Sequence, residues 1–259
     1  MLDFDQIISQ YPEPLQQFKR SIFREYLQYK ILQAIFDSKH AIKLSFLGGT
    51  ALRIVHGNTR FSEDIDLDNF GLSWQEFEEV IDKVKHLLIL EGFDVEIRNI
   101  KKGAYHCYLR FPKILFDQGL SSLPAEKILI QIDTVAQGFS YLSENYFLNK
   151  FDVFTDIRVT PIDILLSQKI FAAVNRKRPK GRDFYDITFL VSRTKPNYDY
   201  LYLKMGIENE VQLKNQVLDY IEKFDFKLIS KDVTPFLLNQ NDIKRVTKFK
   251  EFWLQNNFY

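Results

Sequence analysis

The stretch from residue 44 to residue 69 constrains the fold most, because its pattern changes three times over a short distance. The apolar run LSFL ends in a double glycine at 48–49, where the backbone can turn sharply. TALRIVHG follows as a predicted short helix with Thr50 as its N-cap. EDIDLDNF then alternates, which predicts a strand with Asp64 and Asp66 on one face. The stretch is therefore predicted to form a strand, a turn, a helix and a second strand.

The charge balance and the composition exclude several classes of protein. The 35 basic and 34 acidic residues give a formal charge of +1. The chain therefore lacks the overall positive charge that is typical of a protein that coats nucleic acid. The single cysteine, Cys107, excludes an internal disulfide framework and a cysteine-based zinc site. No apolar run approaches the roughly 20 residues of a membrane span, and the first residues show no leader pattern. We therefore expect a cytoplasmic protein with no membrane partner.

Hydrophobic periodicity divides the rest of the chain into a strand-rich part and a helical part. Helices are predicted for residues 14–38 and 73–92, the second opened by the capping box SWQE. Strands are predicted at FDVEIRNI, AYHCYLRF and KILIQIDTV, and residues 139–160 show no interpretable pattern. From Pro161, a predicted N1 residue, helices are predicted at GRDFYDITFLVSR, NEVQLKNQVLDYIEKF and NDIKRVTKFKEFWLQ. This order predicts an α+β fold, with a mixed-sheet domain over residues 1–155 and a helical domain over 156–259.

Asp64 and Asp66 are the first candidates for chemistry, because two carboxylates on one strand face could hold divalent metal ions. The same spacing is also typical of a solvated strand face. A calcium loop is a poor match, since its sixth position is Asn69 rather than Gly and its twelfth is Gln75 rather than Glu. A glycosyltransferase-type Asp-x-Asp would have no need for a Gly-Gly-Thr turn on the preceding strand.

The double glycine favours a nucleoside triphosphate as the ligand. If the two strands are neighbours, Gly48, Gly49 and Thr50 place backbone N–H groups and a hydroxyl near the carboxylates. The N–H groups would bind phosphate oxygens, and metal ions would bridge phosphate to carboxylate. Arg53, one turn into the predicted helix, could reach a phosphate or pair with one of the aspartates.

Two segments carry a family resemblance. GGTALRIVHGNTRFSEDIDL resembles the first motif of the DNA polymerase β-like nucleotidyltransferases, and specifically of the AbiEii/AbiGii toxin family. LLSQKIFAAVNRKRPKGRDFYDI is similar to that family's second signature, in which a helix with Lys169 and a basic loop precede Arg182, Asp183 and Asp186. The resemblance implies a polymerase β-like nucleotidyltransferase domain with a mixed sheet, followed by a mainly helical domain that contributes the second motif.

The second motif has its own physical interpretation. Its loop, residues 176–182, carries five cations and by itself would be interpreted as a solvated loop. Beside a triphosphate site, Lys169 could neutralise phosphate charge, and the loop could carry the backbone of an RNA acceptor. Asp183 and Asp186 share a helix face and could be a general base and its neighbour, or an N-terminal helix cap with an ion pair to Arg182.

The resemblance also implies a third metal-binding carboxylate on a neighbouring strand. Asp133 in KILIQIDTV is the best placed candidate, and the alternative is a strand-end aspartate that faces water. His56 and His106 have no partner at a metal or triad spacing, so we expect ordinary residues there.

The resemblance implies a metal-dependent enzyme that moves a nucleoside monophosphate from a nucleoside triphosphate to an acceptor hydroxyl, with RNA, specifically tRNA, as the acceptor. Asp64, Asp66 and Asp133 would hold Mg²⁺, or alternatively Mn²⁺. The residues implied for catalysis are Asp64, Asp66, Lys169, Asp183 and Asp186. A separately encoded antitoxin is implied as the partner in a toxin–antitoxin or phage-defence pair. A small-molecule adenylyltransferase of the antibiotic-resistance type and a non-catalytic module that binds nucleotide or protein stay open as alternatives.

Overall fold

Seven strands form one mixed sheet in the computed structural model, which describes residues 2–256. In chain order the strands are β1 Leu44–Leu47, β2 Ile65–Asn69, β3 Glu96–Lys101, β4 Tyr105–Phe111, β5 Ile128–Val135, β6 Glu144–Lys150 and β7 Val153–Val159. Their order across the sheet is β3-β4-β5-β2-β1-β7-β6. β1 pairs in parallel with β7 and β2 in parallel with β5, and the other neighbours are antiparallel. The mixed sheet confirms the predicted α+β class.

The sheet belongs to the first of two units of the chain, which comprises residues 2–55, Phe61–Gly138 and Ser143–Val159. The helices of this unit are α1 Phe4–Ser9, α2 Lys19–Phe36, α3 Gly48–Ile54, α4 Trp74–Leu90 and α5 Ile114–Asp117. Alternation buries one face of β4, β5 and β7, and α2 and α4 pack on the sheet and on each other. The predicted capping box is confirmed, because Ser73 and Glu76 each accept a hydrogen bond from the other's backbone N–H.

The second unit comprises His56–Arg60, Phe139–Leu142 and residues 160–256. Its helices are α6 Ile162–Asn175, α7 Gly181–Val191, α8 Tyr198–Met205, α9 Glu210–Ile221, α10 Phe226–Ile229, α11 Lys244–Thr247 and α12 Phe249–Gln255. Its core contains the packed rings of Phe184, Phe226 and Phe249. The two domains predicted with a boundary at residue 155 stay a prediction. Within residues 2–256, no helix combines the length and the apolar character that crossing a membrane requires.

Several predicted element boundaries are wrong. Thr50 is not the N-cap of α3, because the helix begins at Gly48 with Leu47 as its N-cap. The predicted helix over residues 14–38 is interrupted, since a 3₁₀ turn at Glu13–Leu15 precedes α2. Pro161 is the N-cap of α6 rather than its N1 residue.

The structure also resolves segments that the sequence pattern left unassigned or joined together. The region 139–160, which showed no interpretable pattern, contains the β6–β7 hairpin. The last predicted helix is divided into a 3₁₀ turn at Gln240–Ile243 followed by α11 and α12. β6 buries only Leu148 and the 3₁₀ turn has no buried residue, so both lack the apolar pattern from which an element is predicted.

Candidate active site

Gly48 brings the glycine turn into direct contact with the aspartate strand. Its φ of +82° lies in the left-handed region that favours glycine. Leu47 lies opposite Asp66 in the antiparallel pairing of β1 with β2. A Cβ on Gly48 would overlap the Asp66 carboxylate and would lie 2.7 Å from its Cγ and 2.8 Å from its Cβ. Only a residue without a side chain therefore lets the Asp66 carboxylate occupy this position.

Thr50 ties the first turn of α3 to the start of β2. Its side chain is fully buried, and its hydroxyl donates a hydrogen bond to the backbone carbonyl of Asp64. Asp64 immediately precedes β2, and Asp66 lies within it. The structure thus brings both ends of the first motif together, while the ligands predicted for these residues stay predictions.

Gly48→Ala is expected to lower the free energy of unfolding through two separate effects. The positive φ costs an alanine about 1–2 kcal/mol, and the overlap with Asp66 adds about 1–3 kcal/mol by overpacking. Gly71→Ala is the matched control, because Gly71 has a φ of +83° and no atom within 4 Å of an added Cβ. Urea unfolding of both variants measures the difference. Equal losses of unfolding free energy in the two variants would mean that the overlap with Asp66 adds nothing to the cost of Gly48→Ala.

Asp66 and Asp133 are direct neighbours on the parallel strands β2 and β5. Asp133 Oδ1 accepts a hydrogen bond of 2.7 Å from Gln131 Nε2, and His106 Nδ1 lies 2.6 Å from the same oxygen. Because an ionised carboxylate only accepts, Nδ1 of His106 carries the proton in this contact. Both donors use one oxygen, which fixes the carboxylate and leaves Oδ2 without a hydrogen bond from the described residues. The sequence spacing therefore missed the contact of His106 with Asp133.

The acidic residues suit a divalent cation that also binds a substrate. Among residues 2–256, no three histidine, cysteine, aspartate or glutamate side chains form a ready metal-binding group. Mg²⁺ in phosphoryl-transfer sites is commonly bound by one or two carboxylates together with substrate phosphates and water. Asp66 and the fixed carboxylate of Asp133 meet that requirement. Asp68 differs, because it is buried and accepts a 2.9 Å hydrogen bond from the backbone N–H of Gln137.

Arg53, expected to reach a phosphate or to pair with Asp64 or Asp66, makes a buried ion pair with Glu25. Its Nε lies 2.8 Å from Glu25 Oε2, and its guanidinium lies over the ring of Phe61. Glu25 also binds Lys150 at 3.0 Å and accepts a 2.6 Å hydrogen bond from Tyr11. Burial alone would raise the pKa of Glu25, but the positive charges of Arg53 and Lys150 outweigh it and lower the pKa. Arg53 thus helps to anchor α3 to α2.

Asp186 is the centre of an ionic cluster in the second unit. It is fully buried, and its Oδ2 lies 2.8 Å from Lys169 Nζ and 2.6 Å from Arg60 Nη2. Its Oδ1 accepts hydrogen bonds from Arg60 Nε at 2.7 Å and from Asn58 Nδ2 at 2.9 Å. Burial by itself raises the pKa of Asp186, but the charges of Arg60 and Lys169 outweigh it and lower the pKa to about 2. A carboxylate held in this way is a poor proton acceptor near neutral pH.

Asp183 has a different environment on the same helix. Arg176 Nε lies 2.9 Å from its Oδ2, and Lys169 Nζ lies 3.7 Å from its Oδ1. The N-cap of α7 is Lys180, so neither aspartate is the N-cap residue itself, although Asp183 lies in the first turn of the helix. The structure therefore brings Lys169, Asp183 and Asp186 together within the second unit, and their catalytic roles stay predictions.

The comparisons with known proteins identify a family and a similar fold. The family model described as "Nucleotidyl transferase AbiEii toxin, Type IV TA system" matches residues 30–249, which include both motifs. JHP933 from Helicobacter pylori has a similar structure, with a TM-score of 0.55 and 16% identity over 90% of this chain and 91% of that chain. A protein from the same organism, described as a proposed nucleotidyltransferase, gives 0.55 and 16% over 92% and 99%. At this identity the likeness shows the fold alone. Comparison with curated protein sequences gives no match.

Proposed function

The chain belongs to the AbiEii family of nucleotidyl transferase toxins of type IV toxin–antitoxin systems, and we propose that it moves a nucleoside monophosphate from a nucleoside triphosphate to a hydroxyl of RNA and releases pyrophosphate. The family implies a separate antitoxin. The observation that carries the proposal is the Asp66 carboxylate packed on the Gly48 turn and aligned with Asp133 on the next strand. We take tRNA as the acceptor class on the strength of the family resemblance.

The donor triphosphate is proposed to bind at the turn between β1 and α3. Gly48 and Gly49 present backbone without side chains there, so phosphate oxygens can approach the N–H groups closely. Thr50 holds this turn against Asp64 through its buried hydroxyl. Asp64, Asp66 and Asp133 are the residues that would hold Mg²⁺. When bound, the cation would neutralise phosphate charge and make the acceptor hydroxyl more acidic.

Residues of β4 and β5 are proposed to prepare Asp133 for this role. His106 and Gln131 hold Asp133 Oδ1, which keeps the orientation of the carboxylate fixed before any ligand arrives. In the second unit, Lys169 is proposed to bind phosphate on the strength of the family resemblance, and Asp186 holds its ammonium group. Asp183 is the better candidate of the pair for accepting the acceptor's proton, because Asp186 is saturated by Arg60, Asn58 and Lys169.

The proposal is tested by incubating the protein with each labelled nucleoside triphosphate and either bulk tRNA or an aminoglycoside mixture. We expect label in tRNA, loss of that label when a chelator removes divalent cations, and its return with added Mg²⁺. Mass spectrometry of the RNA then identifies the nucleotide and the modified position. Label on the aminoglycoside alone would replace the proposal with the small-molecule adenylyltransferase. Binding of a nucleotide without any transfer would favour the non-catalytic module.

A further inference from the structure

The outward face of β3, β4 and β5 continues directly from the carboxylate row. Cys107 and Leu109 of β4 are buried on the inward face, so His106, Tyr108 and Arg110 share the outward face. His106 lies opposite Asp133, and Tyr108 lies opposite Gln131, in the pairing of β4 with β5. A row of outward side chains therefore leads along β4 away from Asp133, in steps of about 7 Å.

Two arginines flank the tyrosine in this row. Arg98 of β3 lies directly opposite Tyr108, and Arg110 follows Tyr108 at the next outward position of β4. We call Arg98, Tyr108 and Arg110 the β3–β4 strip. Arg98 is exposed, and Tyr108 and Arg110 are partly exposed.

The fold does not use the polar groups of the strip. Across residues 2–256, none of its three side chains makes a hydrogen bond or an ion pair with another residue, whereas the nearby Lys127 binds Glu96 at 2.7 Å. The two guanidinium groups and the tyrosine hydroxyl therefore make no polar contact that stabilises the fold. Glu96 lies opposite Arg110, but its carboxylate is paired with Lys127, so Arg98 and Arg110 leave a net positive charge on this surface.

We propose that the β3–β4 strip binds the single-stranded segment of the RNA acceptor that leads to its reacting hydroxyl. Guanidinium groups bind phosphates with two parallel hydrogen bonds, and a tyrosine ring offers a stacking surface to any base. A cationic small molecule would be repelled by the arginines. The inference rests on the proposed transfer to RNA, and it assigns the acceptor to a surface of the first unit that neither motif contains.

The test measures RNA binding without any nucleoside triphosphate, so that it does not depend on catalysis. The probe is a fluorescein-labelled single-stranded RNA oligonucleotide, and its fluorescence anisotropy is titrated with the full-length protein at several salt concentrations. The charge variant is Arg98→Ala/Arg110→Ala. Its control is Lys19→Ala/Lys85→Ala, which removes two exposed lysines from α2 and α4.

We expect the arginine variant to bind at least about 10-fold more weakly than the lysine control. We also expect the slope of log K against log salt to decrease by about 0.7 for each lost phosphate contact. Tyr108→Ala should weaken binding about 5- to 100-fold, Tyr108→Phe should bind like the parent, and Phe154→Ala serves as an exposed aromatic control on β7. Unfolding midpoints close to the parent's verify that the variants fold.

Equal binding by the arginine variant and the lysine control would overturn the inference, and so would an equal loss in Tyr108→Phe and Tyr108→Ala. Failure of the inference is distinguishable from failure of the proposed function. If the strip variants bind RNA normally while the parent still labels tRNA, the inference alone fails. If the strip variants lose RNA binding while the parent labels no RNA, the surface is supported and the proposed reaction fails.

Discussion

Asp66→Ala is expected to reduce nucleotide transfer to RNA by at least about 100-fold, a loss typical of removing one group that stabilises charge in a transition state. Asp66 is the carboxylate against which Gly48 packs, and it adjoins Asp133 on the next strand. Its removal would leave only one of these two neighbouring carboxylates for a cation. The measurement is the rate of label transfer from a nucleoside triphosphate to tRNA at saturating Mg²⁺.

The stability of the same variant separates a catalytic role from a structural one. Asp66→Ala removes both the repulsion between two neighbouring carboxylates and the other contacts of Asp66, so the unfolding midpoint is measured beside the rate of transfer. Asp156→Ala, at an exposed position on β7, is the control and should keep full activity. Full transfer by Asp66→Ala would contradict the assignment of this carboxylate. Loss of transfer together with a large loss of stability would mean that Asp66 serves the fold instead.

The strand and the glycine turn of the first motif could be predicted from the sequence, because each is indicated by a pattern of neighbouring residues. The alternation in EDIDLDNF predicted β2, and the double glycine predicted a turn that now contacts Asp66. The N-cap of α3 was misplaced by three residues, because Thr50 had two possible hydrogen-bond partners. Its hydroxyl binds the carbonyl of Asp64 rather than the first turn of its own helix.

The remaining contacts depend on strand register and on residues far apart in the chain. His106 meets Asp133 only because β4 pairs with β5 in one register, and a shift by one residue would place His106 on the opposite face. Arg60 was noticed only as part of the first motif, yet its partner Asp186 lies 126 residues later. Sequence spacing carries no information about such pairs, so a single sequence could not have predicted them.

Asp186→Asn is expected to lower the free energy of unfolding by about 3–5 kcal/mol, the usual cost of removing one partner from a buried ion pair. The substitution keeps the shape of the side chain but removes the negative charge that faces Arg60 and Lys169. Both cations would then lie near a neutral amide whose NH₂ group cannot accept their hydrogen bonds. Urea unfolding at pH 7 measures the loss. Asp199→Asn, an exposed aspartate on α8, is the control and should change stability by less than about 0.5 kcal/mol.

The pH dependence of that loss identifies its electrostatic origin. The pKa of Asp186 is lowered from 3.8 to about 2 in the folded protein. A lowered pKa stabilises the fold above pH 3.8 by about 2 kcal/mol, and this contribution is lost as the pH falls through about 2. The difference between parent and Asp186→Asn should therefore shrink when the pH is lowered from 5 to 2.5. A difference that stays constant over this range would mean that packing, rather than charge, makes Asp186 important. Normal stability combined with lost transfer would instead restore Asp186 as the general base.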